Sequence, residues 1–175
     1  MTDLVTRIRA TVRDVPDFPR PGILFKDITP LLGDAQLFRD ITDAIAAPWA
    51  RAGITHVAAI ESRGFLLGSP VAQRLGAALV PVRKPGKLPA AAVRESYALE
   101  YGSDTLEMHA DAMPAGARVL VVDDVLATGG TAAAACALVE RVDALVQGVG
   151  LLLELGALNG RSRLADRRIT TLVTF

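Results

Sequence analysis

Two adjacent carboxylates and a glycine-containing loop lie close together in one short segment, VLVVDDVLATGGT at positions 119–131. Four apolar residues, typical of a buried strand, come directly before Asp123 and Asp124. Carboxylates at the carboxyl end of a parallel strand lie in the crevice where open α/β sheets bind ligands. A vicinal diol such as ribose O2 and O3 needs hydrogen-bond acceptors there. Two carboxylates supply them and also favour a nearby divalent cation.

The loop after the acidic pair has the composition of a phosphate-binding loop and opens a helical pattern. Its residues are Ala127, Thr128, Gly129, Gly130 and Thr131. Backbone N–H groups at a helix N-terminus are unpaired donors at the positive end of the helix dipole, and glycines let the backbone approach an oxyanion. We therefore expect this segment to hold a phosphorylated ribose. The alternative is an acidic N-cap pair followed by turn glycines, which the order strand, Asp-Asp, loop and helix disfavours.

Cations that could bind an anionic leaving group follow two other predicted strands. Arg63 stands in the turn ESRGF at 61–65, where small residues and a planar guanidinium suit pyrophosphate. Three cations follow the end of the next predicted strand, namely Arg83, Lys84 and Lys87. Because 19 Lys plus Arg balance 19 Asp plus Glu, any anion site must be built locally. The alternatives are a surface arginine for Arg63 and a solvated basic surface for the other three.

Length and composition are those of a globular domain. The 175 residues, 51% of them hydrophobic, are enough for one core, and we expect a single domain spanning 1–175. Neutral net charge argues against a nucleic-acid or acidic-membrane partner, and the longest apolar runs are too short to span a bilayer. The N-terminus lacks a signal-peptide core. Cys136, the single cysteine, is predicted to be a small hydrophobe inside a helix, which fits a cytoplasmic protein.

The elements that must position these residues alternate between strands and helices. Strands are predicted at 55–60, 77–82, 118–122, 146–153 and 169–173, and helices at 3–13, 64–75 and 130–142. A further helix is predicted to begin at the cap Asp34, to kink at Pro48 and to close at Gly53. Continuous apolar strands joined by helices predict a mostly parallel sheet covered on both faces. Residues 97–101 and 105–109 alternate across 102–104, which predicts a solvent-facing antiparallel hairpin. The proline-rich 14–22 is predicted to be an ordered loop.

These segments resemble the type I phosphoribosyltransferases, over nearly the whole chain. The segment at 119–131 is similar to their phosphoribosyl-pyrophosphate motif. FPRPGILFKDI at 18–28 and ESYALEYG at 95–102 resemble the base-binding segment and catalytic loop of the adenine phosphoribosyltransferases within that group. The resemblance implies the type I phosphoribosyltransferase fold, an α/β structure with a central, mostly parallel sheet flanked by helices. It also implies an N-terminal hood at 1–33 and a flexible β-hairpin loop at 95–109.

The resemblance assigns roles to individual residues. Ribose phosphate would be bound by Asp123, Asp124, Ala127, Thr128, Gly129, Gly130 and Thr131. Pyrophosphate would be bound by Ser62, Arg63, Arg83, Lys84 and Lys87. Adenine would stack on the ring of Phe25, with the side chain of Val125 on its opposite face. The backbone of Leu24 and Lys26 would contact its edge. Catalysis would involve Glu100, Tyr101 and Arg63, with Glu100 handling the purine ring proton. The residues alone leave open that Phe25 is a core residue and Glu100 an exposed charge.

The implied activity converts adenine and phosphoribosyl pyrophosphate to AMP and pyrophosphate, in purine salvage. Mg²⁺ would be the cofactor, held mainly by substrate oxygens rather than by dedicated protein ligands. A homodimer is implied, with 83–87 acting partly across its interface. A second hypothesis is a non-catalytic ligand-sensing domain, because the same fold serves some transcription regulators. The absence of a winged-helix segment and the Glu100–Tyr101 pair favour the enzyme. A third is an enzyme for 6-oxopurines, against which 18–28 argues.

Overall fold

The computed structural model describes residues 3–98 and 103–175. The α-helices are α1 (Leu4–Thr11), α2 (Thr29–Gly33), α3 (Ala35–Ala46), α4 (Arg63–Leu75) and α5 (Gly130–Glu140). The strands are β1 (Arg13–Pro16), β2 (Leu24–Asp27), β3 (His56–Ile60), β4 (Ala78–Val82), β5 (Ala92–Ala98), β6 (Ser103–His109), β7 (Arg118–Leu126), β8 (Leu145–Glu154) and β9 (Ile169–Thr174). Short 3₁₀ helices lie at Ala47–Trp49, Gly156–Leu158 and Gly160–Leu164. Glu100 and Tyr101 lie outside the described residues, so their roles stay predictions.

A parallel sheet forms the centre of the structure, with five strands in the order β4-β3-β7-β8-β9. Strand β7, which carries the acidic pair, lies in the middle. Helix α5 packs on one face, where Val121 and Val149 are buried. Helices α3 and α4 pack on the other face, where Leu120 and Leu152 are buried. The predicted α/β sheet covered on both faces is confirmed, and burial on both faces explains why its strands are continuously apolar.

Helix α3 begins as predicted, at an aspartate cap. Asp34 accepts hydrogen bonds from the N–H groups of Gln36 and Leu37, both at 2.9 Å. The helix is shorter than predicted and passes into the 3₁₀ turn Ala47–Trp49, because Pro48 has no N–H with which to continue the α-helical ladder. None of the described helices is long and apolar enough to cross a membrane.

The antiparallel hairpin is present, but its strands differ from those predicted. Tyr97 of β5 lies opposite Asp104 of β6, so the predicted turn residues at 103 and 104 are in a strand. The hairpin was predicted to face solvent, but Leu106 and Met108 are fully buried against the core, so one of its faces is covered. The start of β5 was missed because the preceding residues are rich in Pro, Gly and Lys, which favour loops.

One other boundary was predicted wrongly and two elements were missed. Strand β7 continues to Leu126, so the acidic pair lies within the strand and not after it, because Asp123 and Val125 still pair with Leu151 and Leu153 of β8. Strand β1 occupies part of the segment predicted to be a loop and pairs with β2. Helix α2 was not predicted at all.

Candidate active site

The acidic pair of β7 is buried at the carboxyl edge of the parallel sheet. Asp123 is 8% exposed and Asp124 is 4% exposed. The N–H of Asp124 donates to Asp123 Oδ1 at 2.8 Å. Burial, followed by the charge of Asp124, raises the pKa of Asp123 well above its ordinary value, and burial also raises the pKa of Asp124 against the effect of Arg63. Two buried carboxylates side by side are costly, and a ligand that brings hydroxyl donors or positive charge would offset that cost.

Arg63 links the acidic pair to the segment predicted to bind the base. Its Nη2 lies 3.0 Å from Asp124 Oδ2, and its Nη1 donates to the carbonyl oxygen of Lys26 at 3.5 Å. Its guanidinium lies 4.8 Å from the centre of the Phe25 ring. The contact with Asp124 is an ion pair without hydrogen-bond geometry, and Asp124 Oδ2 accepts no hydrogen bond from any described residue. That buried oxygen is therefore available to a ligand.

Helix α4 begins close to the acidic pair because Gly64 has no side chain. A Cβ atom at Gly64 would lie 2.8 Å from Asp123 Oδ1 and 3.0 Å from the carbonyl oxygen of Val122. Ser62, at the N-cap, makes no side-chain hydrogen bond to the helix. The first turn of α4 can therefore bind an anion through its backbone donors.

The loop at 127–131, named the phosphate loop here after its predicted role, is held by contact between two backbone segments. Gly129, the N-cap of helix α5, has φ 81°, a conformation that glycine adopts without strain. A Cβ atom at Gly160 would lie 2.3 Å from the carbonyl oxygen of Ala127 and 3.0 Å from the nitrogen of Gly129. Gly160 therefore lets the segment after β8 support the loop. The sequence offered no signal for this residue, because its partners are far away along the chain.

These elements surround a cavity of about 300 Å³. It is lined by Glu61, Ser62, Arg63, Lys84, Asp123, Asp124, Val125, Leu126, Ala127, Thr128, Gly129, Thr131 and Ala132. The structure thus brings together nearly all of the residues predicted to bind ribose phosphate, with three of those predicted to bind pyrophosphate. Gly130 is buried behind the loop, in the first turn of α5, and does not line the cavity.

The remaining predicted cations, Arg83 and Lys87, do not line this cavity and are instead paired with Glu61. Arg83 Nε lies 3.3 Å from Glu61 Oε2, and Lys87 forms an ion pair with Oε1. The N–H of Lys84 donates to Oε2 at 2.9 Å. Although burial raises it, these hydrogen bonds bring the pKa of Glu61 below its ordinary value. Glu61, for which no individual role was predicted, lies at the cavity and contacts all three cations of the basic segment at 83–87.

A polar network joins the β5–β6 hairpin to the phosphate loop. The hydroxyl of Tyr97 accepts from Thr131 Oγ1 at 3.2 Å and from Lys84 Nζ at 3.3 Å, and donates to Asp104 Oδ2 at 3.2 Å. Lys84 also forms an ion pair with Asp104. Tyr97 lies in the 95–102 segment that resembles the catalytic loop, and Asp104 lies in the predicted hairpin, but no individual role in the site was predicted for either residue.

Strand β2 presents the predicted base-binding segment beside this cavity. It pairs with β1 along one edge. On its other side the carbonyl of Lys26 accepts from Arg63. Backbone groups two residues apart face the same edge of a strand, so those of Leu24 face the same way. Phe25 packs edge-on against Phe18, with 5.1 Å between ring centroids, and belongs to neither core cluster, so it is not the core residue of the alternative interpretation.

A second cavity, of about 910 Å³, adjoins β2 and the phosphate loop. Leu24, Leu155, Leu158 and Phe175 give it apolar walls, and Thr128 lines both cavities. A polar cavity that borders an apolar one suits a ligand with a charged, hydroxylated part and a flat heteroaromatic part.

Comparison with known proteins agrees with this arrangement. Residues 33–173 match the phosphoribosyl transferase domain family. A relative from Myxococcus xanthus named adenine phosphoribosyltransferase is 56% identical over 174 residues, which cover 99% of this chain and 95% of that protein. One of the same name from Thermobifida fusca is 56% identical over 173 residues, covering 99% and 98%.

Solved structures give the same result for the fold. The crystal structure of adenine phosphoribosyltransferase from Rhodothermus marinus has a TM-score of 0.95 at 51% identity and covers 98% of each chain. The Saccharomyces cerevisiae enzyme, solved with adenine and an imino-altritol bisphosphate, has a TM-score of 0.91 at 40% identity, over 97% of this chain and 98% of that one. The chain therefore belongs to the phosphoribosyltransferase family and, within it, to the adenine phosphoribosyltransferases.

Proposed function

We propose that this protein transfers the phosphoribosyl group of phosphoribosyl pyrophosphate to adenine, giving AMP and pyrophosphate in purine salvage. The bond from C1 to the pyrophosphate oxygen breaks and its electron pair leaves with pyrophosphate. The bond from adenine N9 to C1 forms, and the N9 proton is lost. The observation that carries the proposal is one cavity that combines a buried acidic pair with the phosphate loop, beside the edge of β2 that does not pair with β1.

The acidic pair and the phosphate loop would hold the ribose 5-phosphate. Asp123 and Asp124 would accept hydrogen bonds from the ribose hydroxyls, which offsets the cost of burying two carboxylates. The N–H groups of the phosphate loop would bind the 5-phosphate at the N-terminus of α5, where the helix dipole favours negative charge.

Strand β2 would read the base. Adenine offers a donor, its amino group, next to an acceptor, N1, and a backbone carbonyl and N–H of β2 complement that pair. A 6-oxopurine offers the reverse pair, so the same backbone would face it acceptor to acceptor and donor to donor. Val125, which lines the polar cavity, and Phe25 would pack on the two faces of the ring. Stacking would hold N9 near C1.

The departing pyrophosphate would be neutralised by cations. Arg63 and Lys84 already line the cavity, and Glu61 keeps Arg83 and Lys87 beside it. Mg²⁺ fits the chemistry of the site, because Asp123 and Asp124 provide carboxylate oxygens and Asp124 Oδ2 accepts no hydrogen bond from the described residues. When bound, the ion would add positive charge to the pyrophosphate, and substrate oxygens would supply most of its ligands.

The hairpin would exclude water and supply the base for the N9 proton. Its strand β5 contacts the phosphate loop through the hydrogen bond between Thr131 and Tyr97. We assign the proton transfer to Glu100 and a supporting contact to Tyr101, on the resemblance of 95–102 to the catalytic loop of the family.

We also propose a homodimer that works in the cytoplasm. Helix α4 and edge strand β4 expose Leu66 and Leu79, which supports an interface beside the basic segment at 83–87. Cys136 is free and buried, which agrees with a reducing compartment.

The proposed reaction is tested by following pyrophosphate release with adenine, phosphoribosyl pyrophosphate and magnesium. We expect steady-state turnover that needs both substrates and forms AMP. Binding of phosphoribosyl pyrophosphate without turnover of any base would contradict the proposal and favour a sensing domain.

A further inference from the structure

The hydroxyl of Tyr97 stands between the hairpin, the basic segment and the phosphate loop. Its ring packs against the core from β5. Among the residues that the structure describes, its oxygen has three hydrogen-bond partners, Thr131 at 3.2 Å, Lys84 at 3.3 Å and Asp104 at 3.2 Å. No role in binding or catalysis was predicted for Tyr97, yet it touches two residues that line the polar cavity.

Counting protons fixes the direction of each of these bonds. Lys84 can only donate. Asp104 can only accept when ionised, and the hydrogen bond from Lys84 brings its pKa below the ordinary value although burial raises it. Tyr97 therefore gives its single proton to Asp104, and Thr131 donates to Tyr97. Because a threonine hydroxyl also has a single proton, Thr131 cannot donate to a phosphate while it donates to Tyr97.

We infer that Tyr97 is a positioning residue for the phosphate loop. When the phosphate of the ligand binds, the hydroxyl of Tyr97 rotates, so that its proton points to Thr131 and no longer to Asp104. After that turn Thr131 accepts from Tyr97 and donates to a phosphate oxygen, and no heavy atom has to move. Asp104 keeps its ion pair with Lys84, so the carboxylate stays satisfied. The inference rests on the proposed function for the identity of the phosphate-bearing ligand.

The test is Tyr97→Phe, which removes the hydroxyl and keeps the ring. Calorimetric titration with ribose 5-phosphate should give a Kd raised about three- to tenfold, as expected for the loss of one oriented hydrogen bond. The Kd for pyrophosphate should change by less than about twofold, because Asp104 still holds Lys84. The matched control is Ser96→Ala, which removes a 2.9 Å hydroxyl contact with Thr105 on the same hairpin, away from the cavity, and should change neither Kd.

A double-mutant cycle separates positioning from a general structural effect. In a Thr131→Val background, Tyr97→Phe should change the Kd for ribose 5-phosphate by less than about 1.5-fold, because the partner through which it acts is gone. Equal effects in both backgrounds would overturn the inference. So would an unchanged Kd for ribose 5-phosphate in Tyr97→Phe, an equal loss of pyrophosphate binding, or no binding of ribose 5-phosphate by the unaltered protein.

The binding experiment needs neither adenine nor turnover. If adenine is not a substrate but the Kd for ribose 5-phosphate responds as described, the proposed function fails and the role of Tyr97 stands. If adenine turns over and Tyr97→Phe binds ribose 5-phosphate normally, the role of Tyr97 fails alone.

Discussion

Asp123 and Asp124 are adjacent carboxylates buried in the central strand of the sheet. Burial raises the pKa of both, so the ligand-free protein is less stable than it would be without one of the charges. Proteins retain destabilising groups of this kind at positions where ligand binding requires them. The pair and the loop after it could be predicted because they are contiguous in sequence. Glu61 and Tyr97 lie in the 61–65 and 95–102 segments that the sequence also indicated, but their individual contacts could not be predicted because the partners come from other elements.

Asp123→Asn should stabilise the ligand-free protein at neutral pH. The pKa of Asp123 is raised in the folded state, so ionisation of this carboxyl destabilises the fold. The loss of stability is absent below the ordinary carboxyl pKa and grows as pH rises towards the raised value. We expect Tm at pH 7 to rise by about 3 °C or more, since roughly 1 kcal/mol corresponds to about 2–4 °C in a domain of this size. The gain should vanish near pH 3 in thermal unfolding followed by circular dichroism. Exposed Asp111→Asn is the control, and a lower Tm for Asp123→Asn at pH 7 would refute the argument.

Asp124→Asn should impair substrate handling far more than Cys136→Ser. Loss of a charge-assisted hydrogen bond to ribose should lower kcat/KM for phosphoribosyl pyrophosphate by about 10- to 100-fold. Cys136 is a buried thiol of α5 whose pKa burial raises to about 12, so its replacement should change kcat/KM by less than about threefold while lowering Tm. Initial rates of pyrophosphate release measure both. Similar small effects would contradict the role of the acidic pair.

At the scale of elements, the strands of the parallel sheet could be predicted because burial on both faces makes them continuously apolar. The starts and ends of other elements depend on partners that the sequence does not reveal. Strand β7 extends to Leu126 because β8 still pairs with it, and β5 begins at Ala92 because β6 lies opposite. The contact between the phosphate loop and the segment after β8 could not be predicted for the same reason, because its two sides are far apart in the sequence.

Gly160→Ala should displace the phosphate loop although Gly160 does not line the polar cavity. The added methyl group would lie 2.3 Å from the carbonyl oxygen of Ala127, so one of the two backbones must shift. We expect the KM for phosphoribosyl pyrophosphate to rise by about tenfold or more while the KM for adenine changes less, because small displacements of binding groups are costly. Gly33→Ala is the matched control, because nothing lies within 4 Å of its Cβ position. Equal KM values for Gly160→Ala and Gly33→Ala would show that the contact is unimportant.

At the scale of the whole molecule, two neighbouring cavities differ in chemistry, and in the proposed reaction they would bind different parts of the substrates. The polar cavity contains carboxylates, backbone donors and cations, and the apolar cavity lies beside β2. Family membership follows from similarity over the whole chain. The 119–131 segment alone indicates a phosphoribosyltransferase but does not distinguish between those that act on different bases. The 18–28 and 95–102 segments narrowed the base to adenine.

The proposed homodimer would have a solution mass of twice that of one chain. Sedimentation equilibrium at micromolar concentration should give that value without added ligand, because the exposed side chains of Leu66 and Leu79 are available to a second copy. A mass equal to one chain across this range would contradict the proposed dimer and would leave 83–87 to act only within its own chain.

The most direct test of the account is base specificity, measured as kcat/KM from pyrophosphate release with adenine, hypoxanthine, guanine and uracil. The backbone of β2 should accept adenine and reject a base with the reversed donor–acceptor pair, so we expect kcat/KM for adenine to exceed that for hypoxanthine by at least about 100-fold. Equal kcat/KM for adenine and hypoxanthine would contradict the assignment of β2 as the element that reads adenine.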